Sequence, residues 1–205
     1  MTPAEFAAET GVSRETLARL ERYAALLNKW NPTINLVSRT TLPDLWRRHM
    51  LDSAQLMPLL PPGTRVLVDL GSGAGFPGMV LAIMGVPEVH LIESDRRKCA
   101  FLREVARETG TAVTIHAARI EDVPPIAADA IVSRALAELT DLLHFAVKFT
   151  CQHSILLFLK GRSVDRELTE AAKGWSMQTE KLPSRTDSDA SILRLEAISR
   201  AVHTR

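Results

Sequence analysis

The sequence predicts an α/β fold in which an N-terminal helical extension precedes a mostly parallel, seven-stranded sheet with a C-terminal antiparallel hairpin. Strand-like and helical segments alternate from Arg65 onward, and this alternation is typical of right-handed crossovers between parallel strands. The last two strand candidates are joined by the polar segment 184–189, which favours a hairpin over another crossover. We therefore expect a helical extension over residues 1–60 and a sheet domain over residues 61–205.

The helical extension carries three start signals. Thr2 and Glu5 form a capping box for the first helix, and Ser13 caps a second helix whose apolar residues recur on one face. A third capping pattern begins at Thr41. The three predicted helices span residues 2–11, 13–32 and 41–58.

The sheet domain follows a Pro-Pro-Gly hinge at residues 61–63. Its predicted strands cover residues 65–70, 88–93, 113–117, 130–133, 154–160, 177–182 and 191–198. Its predicted helices cover residues 77–84, 96–109, 139–149 and 164–175, with a short turn near Glu121.

Composition limits the classes of function. Lys and Arg total 25 and Asp and Glu total 24, so any nucleic-acid surface must be local. Cys99 and Cys151 lie in predicted helical segments without metal-ligand spacing, which favours a reduced, intracellular protein without a metal site. No apolar stretch approaches the roughly 18 residues of a membrane span, and the N-terminus lacks the regions of a signal peptide. We therefore expect a cytoplasmic protein.

The glycine-rich turn after the first predicted strand is the principal candidate site. Residues 73–78 satisfy the fingerprint of a dinucleotide-binding turn, whose glycines let backbone N–H groups approach a phosphate. Asp69, however, stands at the end of the strand and would repel a pyrophosphate. A carboxylate there suits a ligand with an ammonium and a sulfonium, while the helix N-terminus near Pro77 can accept a carboxylate. S-adenosylmethionine has all three groups.

A second acid supports nucleoside binding. Glu93 ends the second predicted strand, twenty-two residues after Gly71, at the spacing from which an acidic side chain reaches ribose hydroxyls. Nicotinamide dinucleotides and S-adenosylmethionine both have that ribose, so Asp69 distinguishes the two ligands. The alternative interpretations are a helix or turn cap for Asp69 and a solvated strand end for Glu93.

Polar residues in segments 28–39 and 47–53 suit the recognition of base edges and phosphates, because asparagines, cations and a histidine surround two tryptophans. The alternative is structural. Trp30 and Trp46 lie on apolar helix faces typical of core residues. His49 is either a ligand or substrate contact or a structural histidine.

Six motifs together resemble the ribosomal RNA small-subunit methyltransferase G family, also called glucose-inhibited division protein B, of the class I S-adenosylmethionine-dependent methyltransferases. The motifs are Asn-Leu-Val-Ser at 35–38, Arg-His-Met-Leu-Asp-Ser at 48–53, Gly-Ser-Gly-Ala-Gly-Phe-Pro-Gly at 71–78, Glu-Ser-Asp-Arg-Arg-Lys at 93–98 with Phe-Leu at 101–102, Ser-Arg-Ala at 133–135 and Leu-Lys-Gly at 159–161. The resemblance implies a Rossmann-like, S-adenosylmethionine-binding domain over residues 61–205. It also implies methyl transfer to N7 of one guanine in a conserved loop of 16S ribosomal RNA.

The resemblance also assigns cofactor contacts. With the residues of the glycine turn and the two acids, the predicted cofactor set is Asp69, Gly71, Gly73, Gly75, Phe76, Glu93, Ile120, Glu121 and Arg134. Arg134 follows the fourth predicted strand, next to the first across the switch point of the sheet, so it can bind the methionine carboxylate or the RNA. An ion pair with Glu138 is the alternative.

Guanine N7 carries a lone pair and no proton, so its attack on the sulfonium methyl requires no general base. The chain indeed lacks the Asn- or Asp-Pro-Pro-aromatic motif of enzymes that methylate exocyclic amines. We therefore expect alignment and desolvation to dominate catalysis and assign no proven catalytic residue. Arg134 and Lys160 are the candidates.

RNA binding is expected to come from local positive charge at the rim of the cofactor cleft. The predicted RNA-binding residues are Arg47, Arg48, His49, Arg96, Arg97, Lys98 and Lys160, with Lys29, Arg39 and Arg162 as further cations. Among these Lys160 is preferred, because it ends the fifth predicted strand on the same edge as Arg134. A solvated charged surface is the alternative for each residue.

The expected partner is 16S ribosomal RNA, within the small ribosomal subunit, bound by a monomer without DNA or membrane contacts. Three other functions stay open at this point. A methyltransferase of a small molecule or protein would use the N-terminal helices as a lid. A nicotinamide-dinucleotide-binding regulatory domain and a non-catalytic S-adenosylmethionine-binding protein are the others.

Overall fold

Seven strands form a single twisted sheet in the computed structural model, which describes residues 1–201. The strands are β1 (Val66–Leu70), β2 (Glu88–Ile92), β3 (Thr114–His116), β4 (Ala128–Arg134), β5 (Thr150–Lys160), β6 (Trp175–Pro183) and β7 (Ser191–Arg200). Their order is β3-β2-β1-β4-β5-β7-β6; the first five are parallel, and β7 is antiparallel to both β5 and β6. The predicted fold class is therefore confirmed, although residues 202–205 of the predicted sheet domain lie outside the described part.

The α-helices are α1 (Pro3–Thr10), α2 (Arg14–Ile34), α3 (Asp52–Ala54), α4 (Gly78–Ile83), α5 (Arg96–Thr109), α6 (Leu139–Ala146) and α7 (Val164–Ala171). Short 3-10 turns cover Leu42–Asp44, Met57–Leu59, Ile120–Asp122 and Val147–Phe149, and a π-helix covers Trp46–Leu51. None of the helices within residues 1–201 has the length and apolar character needed to cross a membrane. No cluster of three or more His, Cys, Asp or Glu side chains in this range is arranged to hold a metal ion.

Two predictions for the N-terminal helices are wrong. α2 continues past Pro32 to Ile34, because a proline in the last turn removes only one hydrogen bond and Asn35 adopts the left-handed conformation (φ 45°) that ends the helix. The expected capping bond of Thr41 is absent, since its hydroxyl donates to the Ser38 carbonyl instead. The predicted third helix consequently divides into 3-10, π and α turns.

Two other boundaries differ from the sequence-based prediction. Cys151, predicted to be helical, lies in β5, because a register shift opposite Ala128 and Ala130 lets the strand start at Thr150. Trp175, predicted to end a helix, begins β6, where its ring is buried against the second core.

Two apolar cores cover the two faces of the sheet. The first joins Leu67 of β1 and Val132 of β4 to buried residues of α1, α2, α4 and α5. Trp30 and Trp46 pack against this core, so the structural interpretation of both tryptophans is confirmed. The second core packs α6 and α7 on the opposite face. The N-terminal helices therefore share a core with the sheet and reach its carboxyl edge.

The switch point of the sheet lies between β1 and β4, where the direction of the crossovers reverses. In open α/β sheets, ligands bind at the carboxyl ends of the strands at this point. The ends of β1, β2, β4 and β5 share one edge, so the topology brings together the loops that follow them.

Candidate active site

A cavity of about 420 Å³ opens at the switch point. Its walls are the glycine turn after β1, the end of β2, the turn that begins at Ile120 and the loop that follows β4. Leu36 and Val37, which follow α2, contribute the side nearest the N-terminal helices. The volume falls within the range of about 300–1,000 Å³ that is typical of small-molecule sites.

Glu93 fixes the glycine turn to the end of β2. Its carboxylate accepts hydrogen bonds from the N–H of Gly73 at 2.9 Å and from the N–H of Asp95 at 2.7 Å. The side chain is largely buried, yet it lines the cavity. An immobilised carboxylate at this position can accept further hydrogen bonds from vicinal hydroxyls.

The three glycines of the turn have different roles. All three have positive φ angles, and a side chain on Gly71 would meet Leu136 at 2.6 Å. At Gly73 an added Cβ would meet only the carbonyl oxygen of Gly71, at 3.9 Å, and the residue lines the cavity. Gly75 is absent from the cavity wall; a Cβ there would lie 2.6 Å from the hydroxyl of Tyr23. Gly75 was predicted to contact a ligand, but in the structure it packs against Tyr23 and does not line the cavity.

Tyr23 of α2 packs against the same glycine turn. Its buried hydroxyl donates to the carbonyl of Ala74, and its ring stacks on Phe76 with centroids 5.2 Å apart. Phe76 in turn lines the cavity. The N-terminal extension therefore holds the glycine turn in position.

Asp69 differs from its predicted role. Its side chain is fully buried beneath the turn, where one oxygen accepts from the N–H of Gly78 at 2.8 Å and the other has no partner within residues 1–201. This bond occupies the start of α4, so the expectation that this helix terminus accepts a ligand carboxylate is wrong. The structure supports the cap interpretation of Asp69, which lies behind the cavity wall.

Asp69 gives the stability of the protein a pH dependence. Burial raises the pKa of this carboxyl from 3.8 to about 7, while the Gly78 N–H and the Arg134 charge oppose the change. Below about pH 4 the carboxyl is protonated in both the folded and the unfolded protein, so the raised pKa does not affect stability. Between pH 4 and pH 7 only the unfolded protein releases the proton, so the free energy of unfolding falls as the pH rises. We expect Asp69→Asn to lack this pH dependence, so its free energy of unfolding relative to that of the unmodified protein should rise steadily from pH 4 to pH 7. Urea unfolding at several pH values measures the difference, and a difference independent of pH would contradict the assignment.

Ile120 and Glu121 line the far side of the cavity, as predicted. The ammonium group of Lys148 donates to both of their carbonyls, at 3.0 and 2.8 Å, and thereby fixes the turn. Nothing in the sequence pattern distinguished Lys148, because its partners are backbone atoms that only the fold brings near.

Arg134 connects the end of β4 to the N-terminal helices. Its guanidinium donates to the carbonyl of Arg48 at 3.1 Å, to the carboxylate of Asp52 at 3.3 Å and to Nδ1 of His49 at 2.9 Å. It also lies 5.0 Å from the ring centroid of Phe76. The alternative ion pair with Glu138 is absent, since Glu138 pairs with Arg166. A planar fork with several donors suits this set of contacts better than a lysine would.

His49 is a neutral histidine with a defined tautomer. Burial and the charges of Arg134 and Arg48 lower its pKa to about 3. Since Nδ1 accepts from Arg134, Nε2 carries the proton and donates to the Thr41 hydroxyl at 2.8 Å. The ring lies 5.0 Å from that of Phe76. Both alternatives for His49 have support, because it is structurally satisfied and also lines a second cavity.

The second cavity, of about 790 Å³, adjoins the first. Residues 134–136 and the Leu36–Val37 pair line both cavities, so they form the boundary between them. Thr186 and Asp187 of the β6–β7 connection also line the second cavity, where Asp187 pairs with Arg48 at 2.7 Å. Sequence reasoning missed this connection, because its acids resemble ordinary turn residues.

The predicted RNA-binding cations have different environments. Arg47, Arg96 and Arg97 are exposed, and Arg97 forms an ion pair with Asp95. Lys98 lines the first cavity. Arg48 lies at the second cavity, as described above.

Lys160 differs most from its prediction. It is buried, donates to the carbonyl of Ala137 at 2.7 Å and pairs with Glu167 at 2.6 Å. Lys160 is therefore not an exposed cation at the rim of the cleft, and Glu167 balances its charge inside the protein.

The residues that line the first cavity fit the nucleoside half of S-adenosylmethionine. The cavity offers an immobilised carboxylate from Glu93, the backbone of Gly73 and the fixed turn at Ile120. A nucleoside needs a hydrogen-bond acceptor for its ribose hydroxyls and an apolar wall for its base, and this cavity supplies both.

Comparison with known proteins gives the same assignment. The family described as rRNA small subunit methyltransferase G matches residues 16–192. The ribosomal RNA small subunit methyltransferase G of Rhodospirillum centenum is 62% identical over 195 residues, covering 95% of this chain and 90% of that protein. Its counterpart from Paramagnetospirillum magneticum is 56% identical over 200 residues, covering 98% of each chain.

A solved structure supports the fold alone. The structure is that of a putative S-adenosyl-L-methionine-dependent methyltransferase from Methanococcus maripaludis, which superimposes with a TM-score of 0.60 at 11% identity. The match covers 87% of this chain and 94% of the other. The family match over residues 16–192 and the two relatives at 62% and 56% identity show that the chain belongs to the rRNA small subunit methyltransferase G family.

Proposed function

We propose that this chain transfers the methyl group of S-adenosylmethionine to N7 of a single guanine in 16S ribosomal RNA. The observation that carries the proposal is the pair of adjoining cavities, which share residues 134–136 as their boundary. One cavity has the groups that a nucleoside cofactor requires. The other is larger and opens between the N-terminal helices and the β6–β7 connection, where a flipped-out base can enter.

Each wall of the first cavity has a part in binding the cofactor. Glu93 would accept hydrogen bonds from the ribose hydroxyls, and the Gly71–Gly73 backbone would lie against the methionine portion. Ile120 and Glu121 would flank the adenine. When bound, S-adenosylmethionine supplies an electrophilic methyl group on a positively charged sulfur.

The residues around the boundary align the acceptor and exclude water. Guanine N7 needs no proton removed, and the neutral His49 is already engaged at both ring nitrogens. Positive charge passes from the sulfur to the purine, so no residue has to supply a strong base. Arg134 and His49, which both line the second cavity, instead form a fixed wall against which a purine ring can be oriented.

RNA binding rests on the exposed cations. Arg47 lies on the N-terminal side of the cleft, and Arg96 and Arg97 begin α5. Phosphate contacts by such residues release counterions, so the affinity for RNA falls as salt increases. We further propose that the acceptor is the RNA within the small ribosomal subunit, that the enzyme acts as a monomer and that it works in the cytoplasm.

Transfer of labelled methyl from S-adenosylmethionine to small subunits that lack the modification tests the proposal. We expect label in one N7-methylguanine, identified by nuclease digestion and mass spectrometry, and no label in subunits that already carry it. Association with the subunit should weaken with added salt. S-adenosylmethionine binding without label in RNA would overturn the ribosomal assignment and favour a small-molecule or protein acceptor.

A further inference from the structure

We propose that the buried Lys160–Glu167 pair positions the loop that separates the two cavities, and that methyl transfer depends on this tether. This inference rests on the proposed function. The separating loop is residues 135–138, between the end of β4 and the start of α6. Its tether lies on two other elements, β5 and α7.

The two charged side chains hold the end of the loop that leads into α6. Lys160 donates to the carbonyl of Ala137 at 2.7 Å, and Glu167 accepts from the N–H of Leu139 at 2.9 Å. The charges are 2.6 Å apart, and Ser163 donates to the second oxygen of Glu167 at 2.5 Å. Five polar groups are therefore satisfied by one another, and the two charged side chains among them are largely buried.

The arrangement keeps Glu167 ionised. Burial acts to raise its pKa, but the hydrogen bonds from Lys160 and Ser163 outweigh burial and leave the pKa below its usual value. Lys160 and Glu167 also line the second cavity, next to the separating loop. Because Lys160 and Glu167 neutralise each other, they can hold the backbone of the loop without binding an RNA phosphate.

The loop itself needs a tether. Ala135 has a positive φ of 51°, a conformation that costs free energy in a residue with a side chain. Leu136 is one of the few large apolar side chains that stay exposed, and it extends over Gly71 at the boundary. A strained backbone with an exposed leucine would relax into another conformation unless other contacts held it.

The consequence for catalysis is geometric. Residues 134–136 line both cavities, so a movement of the loop changes how the methyl donor faces the acceptor. Much of the first cavity is formed elsewhere, by the glycine turn, Glu93 and the Ile120 turn. Loss of the tether should therefore affect turnover more than cofactor affinity.

Hydrogen exchange measured by mass spectrometry tests the tether without any acceptor. In Lys160→Met, amides of residues 135–139 should exchange at least about tenfold faster than in the unmodified protein, while those of residues 71–76 stay unchanged. Glu167→Gln should produce the same local change, because the neutral amide no longer pairs with the buried charge of Lys160. Lys173→Met is the matched control, since Lys173 forms an exposed ion pair with Glu170.

Methyl transfer then measures the functional consequence. We expect kcat of Lys160→Met to fall by roughly tenfold to a hundredfold, with little change in the KM for S-adenosylmethionine. If Lys160→Met does not fold, Glu167→Gln carries the same expectation. Exchange that rises evenly over the whole chain, or an unchanged kcat in a folded variant, would overturn the proposal.

The two proposals fail separately. If the unmodified protein transfers no methyl group to RNA but residues 135–139 still lose protection in Lys160→Met, the acceptor is wrong and the tether stands. If the unmodified protein is active and neither variant changes local exchange, the tether is wrong and the proposed function stands.

Discussion

Replacement of Glu93 by alanine should weaken the binding of S-adenosylmethionine by about two orders of magnitude. The carboxylate has two tasks, because it accepts from the N–H groups of Gly73 and Asp95 and, in the proposed complex, from the ribose hydroxyls. A hydrogen bond to a charged group contributes about 1.5–3 kcal/mol, so the loss of two ribose contacts alone reaches this magnitude. Isothermal titration calorimetry measures the affinity without requiring any acceptor.

Glu88→Ala provides the matched control on the same strand. Glu88 lies at the opposite end of β2, is exposed and pairs with His90. Its removal should leave the affinity for S-adenosylmethionine unchanged. Equal affinities of Glu93→Ala and Glu88→Ala would show that the ribose does not lie at the end of β2.

Replacement of Arg134 by lysine should lower kcat for methyl transfer by roughly a hundredfold, although the charge is kept. A single ammonium group cannot reproduce the fork that reaches the Arg48 carbonyl, Asp52 and His49 at once. Misplacement of the boundary by about 1 Å is sufficient for a loss of this size. Single-turnover transfer of labelled methyl to the small subunit measures the rate.

Arg107→Lys is the appropriate comparison for Arg134→Lys. Arg107 is an exposed arginine near the end of α5 that pairs with Glu104, and it lines neither of the two cavities. We expect its kcat to match that of the unmodified protein. A similar small loss in both variants would mean that Arg134 contributes charge alone.

Most of the fold could be predicted from the sequence because alternation and capping are local signals. The helix at residues 96–109 begins at the Asp95 cap and ends at Gly110 in the left-handed conformation. The errors arise where tertiary contacts outweigh local preference. Pro32 is tolerated because Asn35 ends the helix, and Thr41 prefers the Ser38 carbonyl and His49 to a capping bond.

Several residues that line the first cavity were predictable from the sequence. Glu93 and the glycine turn depend on a fixed spacing after a buried strand, which a sequence displays directly. The motifs that predicted the methyltransferase family were also specific, and the family is confirmed. Arg134 was assigned only through that resemblance, because no local pattern marks the residue after a fourth strand.

The roles of Asp69 and Lys160 could not be predicted. A sequence shows that a carboxylate ends a strand but not whether it points into the cavity or under the turn, where Asp69 caps Gly78. Similarly, the sequence places Lys160 at a strand end, but the buried Glu167 that balances it comes from α7. Both cases depend on the packing of a distant element.

A crystal structure of this protein with S-adenosylhomocysteine, the product of the donor, tests the central claim most directly. We expect the ribose hydroxyls on Glu93, the adenine beside Ile120 and the sulfur directed toward the boundary at residues 134–136. The second cavity should then remain open to an acceptor base. Binding of the nucleoside in the second cavity, or a sulfur directed away from that boundary, would contradict the proposed division of donor and acceptor.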